Sequence, residues 1–141
     1  MIMSFLIPGK PVGKGRPRRG AHGVMYTPKD TREYEQAVKS YYAYTARGAD
    51  FRDRAIYLRI AAYYPIPKSA SKKAAAEMRA GVVRPKLKPD GDNVQKIIAD
   101  ALNGTAYYDD KQIVRWYCEK WYSDEPHVLV QIGDIGDDEE P

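Results

Sequence analysis

The sequence predicts an α+β fold, a single domain in which helices pack on a mainly antiparallel sheet. Two observations carry this. The 141 residues, 43% of them hydrophobic, suffice for one core and leave little for a second. Four segments read as strands and three as helices, in the order strand, basic loop, helix, strand, helix, helix, strand, strand. No internal repeat or interior linker divides the chain, so residues 1–133 are expected to form one domain. Residues 134–141, an acidic end, are expected to form a disordered tail.

The first element is MSFLI, a short β-prone run. Behind it, PGKPVGKGRPRRGAHG carries Lys10, Lys14, Arg16, Arg18 and Arg19 with no acid. Its prolines and glycines cannot bury a core face, so it reads as an arm that orders on a phosphate backbone. Thr27 before Pro28 is a helix start, with Asp30 and Glu33 suited to the positive end of the dipole. Tyr34, Ala37, Val38 and Tyr41 recur at helical spacing, and Gly48 marks the stop.

From Ala55 the pattern becomes strict alternation, with Ile56, Leu58, Ile60, Ala62 and Tyr64 on one face, ended by PIP. This is an interior strand of about ten residues. KSASKKAAAEMRAG reads as a Ser-capped, basic, peripheral helix stopped by Gly81. Next, Val94, Ile97, Ile98, Ala101 and Leu102 form one apolar stripe on a helix closed by Asn103 and Gly104. IVRWYCEKWYS and HVLVQIG then read as two strands joined by a turn at Ser123 to Pro126. Trp116, Tyr117, Trp121 and Tyr122 crowd the first of these. Core and dimer packing suits most of them, and exposed ones could stack on unpaired bases.

Charge narrows the partner. Five of the 19 acids lie in GDIGDDEEP, which leaves 14 acids against 23 bases and +9 on residues 1–133. A basic body favours a polyanionic partner, because each neutralised phosphate releases condensed counterions. The single cysteine, Cys118, excludes an internal disulfide framework and a multi-thiolate zinc site. No apolar run approaches the roughly 18 residues needed to span a bilayer, and the start is too short and uncharged for a signal peptide. A soluble, cytoplasmic setting is expected. His22 and His127 are assigned no catalytic role, and Cys118 reads as a buried strand residue.

Against that basic body, KPDGDNVQKIIADALNGTAYYDDKQ places Asp90, Asp92, Asp109 and Asp110 around one helix. At 100° per residue, Asp92 and Lys96 stand about 40° apart, opposite the apolar stripe. If the chain doubles back after the helix, the carboxylates can meet. They would then offer only hard oxygen ligands, which suit Mg²⁺ and not Zn²⁺. A carboxylate-held Mg²⁺ beside a lysine suits phosphodiester hydrolysis. The residues equally allow a plainer reading, in which Asp90 and Asp92 are helix caps and Asp92 with Lys96 is an i,i+4 surface pair.

KPDGDNVQKIIADALNG followed by YYDDKQI resembles the signature of the RusA family of Holliday junction resolvases, D-x-D-N-x-x-K, then D-A-L, then D-D-x-Q. GKPVGKGRPR and YTPKDTREYE resemble the opening of its phage-type members, so the likeness spans roughly residues 5–132. By position it implies Asp90, Asp92 and Asp110 as catalytic Mg²⁺ ligands, with Mn²⁺ as a substitute, and Lys96 as the catalytic lysine. Asn93, Asp100, Asp109 and Gln112 fall on supporting positions. The resemblance further implies a homodimeric endodeoxyribonuclease of bacterial or prophage origin that nicks four-way DNA junctions in pairs during recombination and repair. Lys10, Lys14, Arg16, Arg18, Arg19, Lys72 and Lys73 are the expected backbone contacts. Two rivals are a PD-(D/E)xK-type nuclease using Lys111, from Pro89-Asp90 and Asp109-x-Lys111, and a non-catalytic DNA-structure binder.

Overall fold

Strand β4 (Ile56–Pro65) is the pivot of the sheet. In the computed structural model, which describes residues 1–139, the elements run β1 (Ile2–Pro8), β2 (Arg18–Arg19), β3 (Met25–Tyr26), α1 (Lys29–Ala46), β4, α2 (Lys72–Arg79), α3 (Gly91–Leu102), β5 (Ile113–Ser123) and β6 (His127–Asp134). Among the described residues the main sheet has the order β1-β6-β4-β5. β6 lies antiparallel to β1 and to β4, whereas β5 lies parallel to β4. The α+β reading therefore holds, and β4 is interior as its alternation predicts. β2 and β3 form a separate two-stranded ribbon.

Alternation decides the layers. Met3, Phe5 and Ile7 of β1, Ile56, Leu58, Ile60, Ala62 and Tyr64 of β4, and Val128, Val130 and Ile132 of β6 are all buried. Val38 and Tyr42 of α1 and the full stripe of α3 join them in one core. Each buried Val, Ile or Leu of that stripe stabilises the fold by about 1.5–3 kcal/mol, so α3 is anchored firmly. Ile2, Leu6 and Leu129, on the other face of the sheet, remain exposed.

The fold goes beyond the local pattern in three places. β5 and β6, though adjacent in sequence, do not pair, because β4 lies between them. A buried ten-residue strand must satisfy its backbone groups on both edges, and β5 and β6 each supply one side. Thr27 is not the α1 cap: Pro28 occupies that position with extended backbone (ψ 146°) and no side-chain bond, and the helix begins at Lys29. The αL residue at its end is Arg47, followed by Gly48 at φ +91°.

The third concerns the acidic end, which is docked over its described residues. Asp134 closes β6 and accepts hydrogen bonds from the N-terminal ammonium at 2.8 Å and from Arg54 at 3.1 Å. Asp137 also bonds that ammonium. The Asp138 carboxylate, only 1% exposed, accepts from Arg59 and Arg115, each at 2.9 Å, and from the Tyr117 hydroxyl at 2.7 Å. Burial pushes its carboxyl up, but these three donors outweigh burial and hold it below the ordinary range. Two sheet guanidiniums thus give the acidic segment a place to fold against. Glu140 and Pro141 lie outside the described residues.

Candidate active site

The site is built on the start of α3. Asp90 stands at the N-cap position with extended backbone (φ −66°, ψ 151°), and among the described residues its side chain makes no capping bond. Its carbonyl instead accepts from the backbone N–H groups of Asn93 and Val94, both at 3.1 Å. The carboxylate is therefore left exposed. Neighbouring strands fix the approach to it. The Tyr64 hydroxyl donates to the Pro89 carbonyl at 2.5 Å, and the Lys120 ammonium donates to the Leu87 carbonyl at 2.6 Å.

The basic loop holds the opposite side. Lys14 N–H donates to the Asn93 carbonyl at 3.0 Å, and Gly15 N–H donates to the Thr31 hydroxyl at 3.1 Å. A Cβ on Gly13 would stand 2.8 Å from Pro89 Cβ and 3.1 Å from Asn93 Cβ, so only glycine permits this approach. The Lys14 ammonium meets Glu35 at 3.1 Å and Asp100 at 3.2 Å. Burial lowers its pKa, but both carboxylates overcome that and leave it raised.

The return path, left open by the sequence, is closed by named bonds. Gly104, at φ +72°, donates to the Tyr107 carbonyl at 2.8 Å, and the buried Tyr107 hydroxyl donates back to the Ala99 carbonyl at 2.6 Å. Gln112 then clamps the turn. Its amide nitrogen donates to the carbonyls of Phe51 (2.9 Å) and Arg54 (3.0 Å), while its oxygen accepts from the N–H groups of Tyr108 (2.8 Å) and Asp109 (3.2 Å). Asp109 accepts from Lys111 N–H at 2.9 Å, completing a capping box with Gln112.

These bonds aim Asp110 into an open cleft of about 330 Å³ lined by Asp92, Gln95, Lys96, Ala99, Asp100, Asp110 and Trp116. Asp90 lines the neighbouring opening, about 600 Å³, with Gly13, Lys14, Arg16, Lys88, Pro89 and Asn93. Burial pushes the Asp110 carboxyl up, and its contact with Asp109 and the charges of Asp109 and Asp100 add to this. The Lys111 backbone N–H pulls Asp109 down. Lys111 and Asp109 line a different recess, with Asp53, Arg54, Ala55, Tyr108, Gln112 and Val114. The two aspartates of the DD pair thus have different surroundings.

A sequence model of the endodeoxyribonuclease RusA family matches residues 8–133. The chain belongs to that family. It is also similar to the uncharacterized protein YqaN of Bacillus subtilis (strain 168), at 36% identity over 138 residues, covering 94% of this chain and 96% of that one.

In this RusA-family chain the structure brings Asp92, Lys96, Asp100 and Asp110 to one cleft and sets Asp90 and Asn93 beside it. Lys10, Arg16, Arg18 and Arg19 are exposed along the arm, and Lys72 and Lys73 are exposed in the first turn of α2. Sequence reasoning missed Gln95 as a cleft residue. It named Trp116 only among the aromatics, although strand register could have placed it: Trp116 pairs with Leu58 and so points to the helix side of the sheet. Cys118 lies on the same side, half-buried, 3.8 Å from the Gly91 carbonyl. Burial raises its thiol pKa. No helix among the described residues is long and apolar enough to cross a membrane.

Among the described residues no three of His, Cys, Asp or Glu form a ready-made metal cage. The donor set nevertheless fits a hard divalent cation. The acids of the cleft and its rim offer only oxygen, and burial, with the charges of Asp109 and Asp100 behind it, raises the Asp110 carboxyl.

Proposed function

We propose that this chain is a Mg²⁺-dependent, structure-selective endonuclease that resolves four-way DNA junctions by paired nicks and works as a homodimer. The observation that carries this reading is the shared cleft of Asp92, Lys96 and Asp110, residues 92 and 110 being brought together by the Tyr107 and Gln112 bonds. Asp90, Asp92 and Asp110 would hold the cation, with Asp100 beside them. Mg²⁺, when bound, would make a water more acidic and clamp a phosphoryl oxygen.

The chain's own side chains supply the rest. Lys96 lines the same cleft as Asp110 and would offset charge that develops on the phosphate. Arg16, on the rim with Asp90, and Lys10, Arg18, Arg19, Lys72 and Lys73 hold backbone phosphates, giving affinity without reading bases. The exposed Ile2, Leu6 and Leu129 on the sheet face opposite α1 and α3 support self-association. Twofold symmetry would present one cleft to each of two strands.

The test is a Mg²⁺ titration of cleavage on a four-way junction beside a linear duplex of equal length. Cleavage confined to the junction and dependent on Mg²⁺ is expected. Asp92→Asn should abolish cleavage and keep junction binding, and Lys96→Ala should lower cleavage roughly 10²–10³-fold. Lys111→Ala should leave it near wild type. Mg²⁺-dependent cutting by Asp92→Asn, or loss on Lys111→Ala alone, would overturn the assignment.

A further inference from the structure

The arm's tip is apolar, which its phosphate-binding role does not require. Residues 16–26 are exposed apart from half-buried Gly20, and Val24 and Met25 are 66% and 55% exposed. Single exposed apolar residues are ordinary. Two in succession at the end of an ordered basic projection are not.

The ribbon geometry sorts these side chains. Arg18 pairs with Tyr26 and Arg19 with Met25, and paired positions share a face. Tyr26, 49% exposed, lies over Gly20, where a Cβ would stand 3.3 Å from its ring, and it lines a recess with Arg18, Pro28, Lys29 and Asp30. Met25 therefore stands on the opposite face beside Arg19, and Val24, extended at φ −75° and ψ 130°, leads into it from the turn. The turn is fixed by His22 at φ 64°, Gly23 at φ 74° and a 2.7 Å bond from Gly20 N–H to the Val24 carbonyl. Arg16, two residues before the ribbon, lines the opening that holds Asp90, so the ribbon springs from the rim of the cleft.

We propose that the β2–β3 ribbon is a branch-point wedge, in which Met25, at the exposed tip it forms with Val24, inserts against an unstacked base while Arg19 on the same face holds the adjoining phosphate. This rests on the junction-binding reading above. Apolar side chains that enter a base step from a basic scaffold kink and open DNA, and at a branch point stacking is already interrupted. A second copy is the poorer occupant. Residues 10–29 contain six Lys and Arg (Lys10, Lys14, Arg16, Arg18, Arg19, Lys29) and no acid, so two ribbons would bring like charges together, whereas DNA supplies the opposite charge.

The experiment uses a four-way junction carrying 2-aminopurine at the crossover, titrated with the full chain in EDTA so that the strands stay intact. Wild type should raise the fluorescence of the unstacked base. Val24→Ser/Met25→Ser should abolish that rise and weaken junction binding about tenfold, with linear-duplex binding and melting temperature unchanged because both residues are solvent-facing. Arg19→Ala should weaken junction and duplex alike. A double variant that keeps the fluorescence rise overturns the wedge, as does a fall in its sedimentation mass to that of a single chain, which would make the tip a self-association contact. If wild type binds junction no better than duplex, the junction reading itself fails.

Discussion

Lys14 separates a scaffold role from a DNA-contact role within one basic loop. Its ammonium stands 3.1 Å from Glu35 and 3.2 Å from Asp100, and the three side chains are 19%, 17% and 26% exposed. Lys14→Met keeps most of the aliphatic stem and removes the charge, leaving two half-buried carboxylates without their cation. Exposed pairs contribute about 0–1 kcal/mol, and breaking a buried pair costs about 3–5 kcal/mol. This intermediate burial points to about 2 kcal/mol, or roughly 6–10 °C in melting temperature for a chain of this size. The sign with pH is fixed by the raised Lys14 pKa. The contribution is complete below the ordinary lysine value of about 10.4 and is lost only as pH rises through the higher folded value, so it is fully present at pH 7. The assay pairs thermal unfolding with a salt series of junction binding. Each phosphate contact adds about −0.9 to the slope of log K against log salt. Lys14→Met should lower the melting temperature and keep the slope, whereas Arg19→Ala should keep the melting temperature and lose about one contact. An unchanged melting temperature together with a shallower slope for Lys14→Met would refute the scaffold role.

Two further outcomes are expected. Gln112→Ala removes four hydrogen bonds that hold the Asp110 turn; it should cost about 2 kcal/mol and lower kcat on the junction with KM within about twofold. A loss confined to KM would show that the turn serves binding instead. Asp138→Asn removes the acceptor of Arg59, Arg115 and Tyr117. Because the folded carboxyl is held below its ordinary value of about 3.9, the variant should melt lower than wild type at pH 7, and the gap should close as pH falls through the depressed value. A gap that persists undiminished to pH 2 would mean that the acid contributes through packing and not through charge.

Much of the molecule was legible in the sequence because its signals are local. Alternation from Ile56 to Tyr64 identified the central strand, and five apolar residues at helical spacing identified the buried face of α3. The same periodicity placed Asp92 and Lys96 together on the opposite face, where they now share a cleft. The family resemblance drawn from the D-x-D-N-x-x-K, D-A-L and D-D-x-Q steps is matched over residues 8–133.

What the sequence by itself determined was therefore the set of elements, their faces and the chemistry-bearing segment, since periodicity and helix capping depend on residues a few positions apart. The family resemblance put Asp110 ahead of Asp109, and the fold aims Asp110 into the cleft through Gln112 reaching back to Phe51 and Arg54. Tertiary structure alone decided that β5 and β6 flank β4 instead of pairing, that Lys14 is held between α1 and α3, and that Asp138 folds onto Arg59 and Arg115. Each joins groups far apart in the chain, where local pattern carries no information and only hydrogen-bond satisfaction and charge pairing in the folded state select the partner.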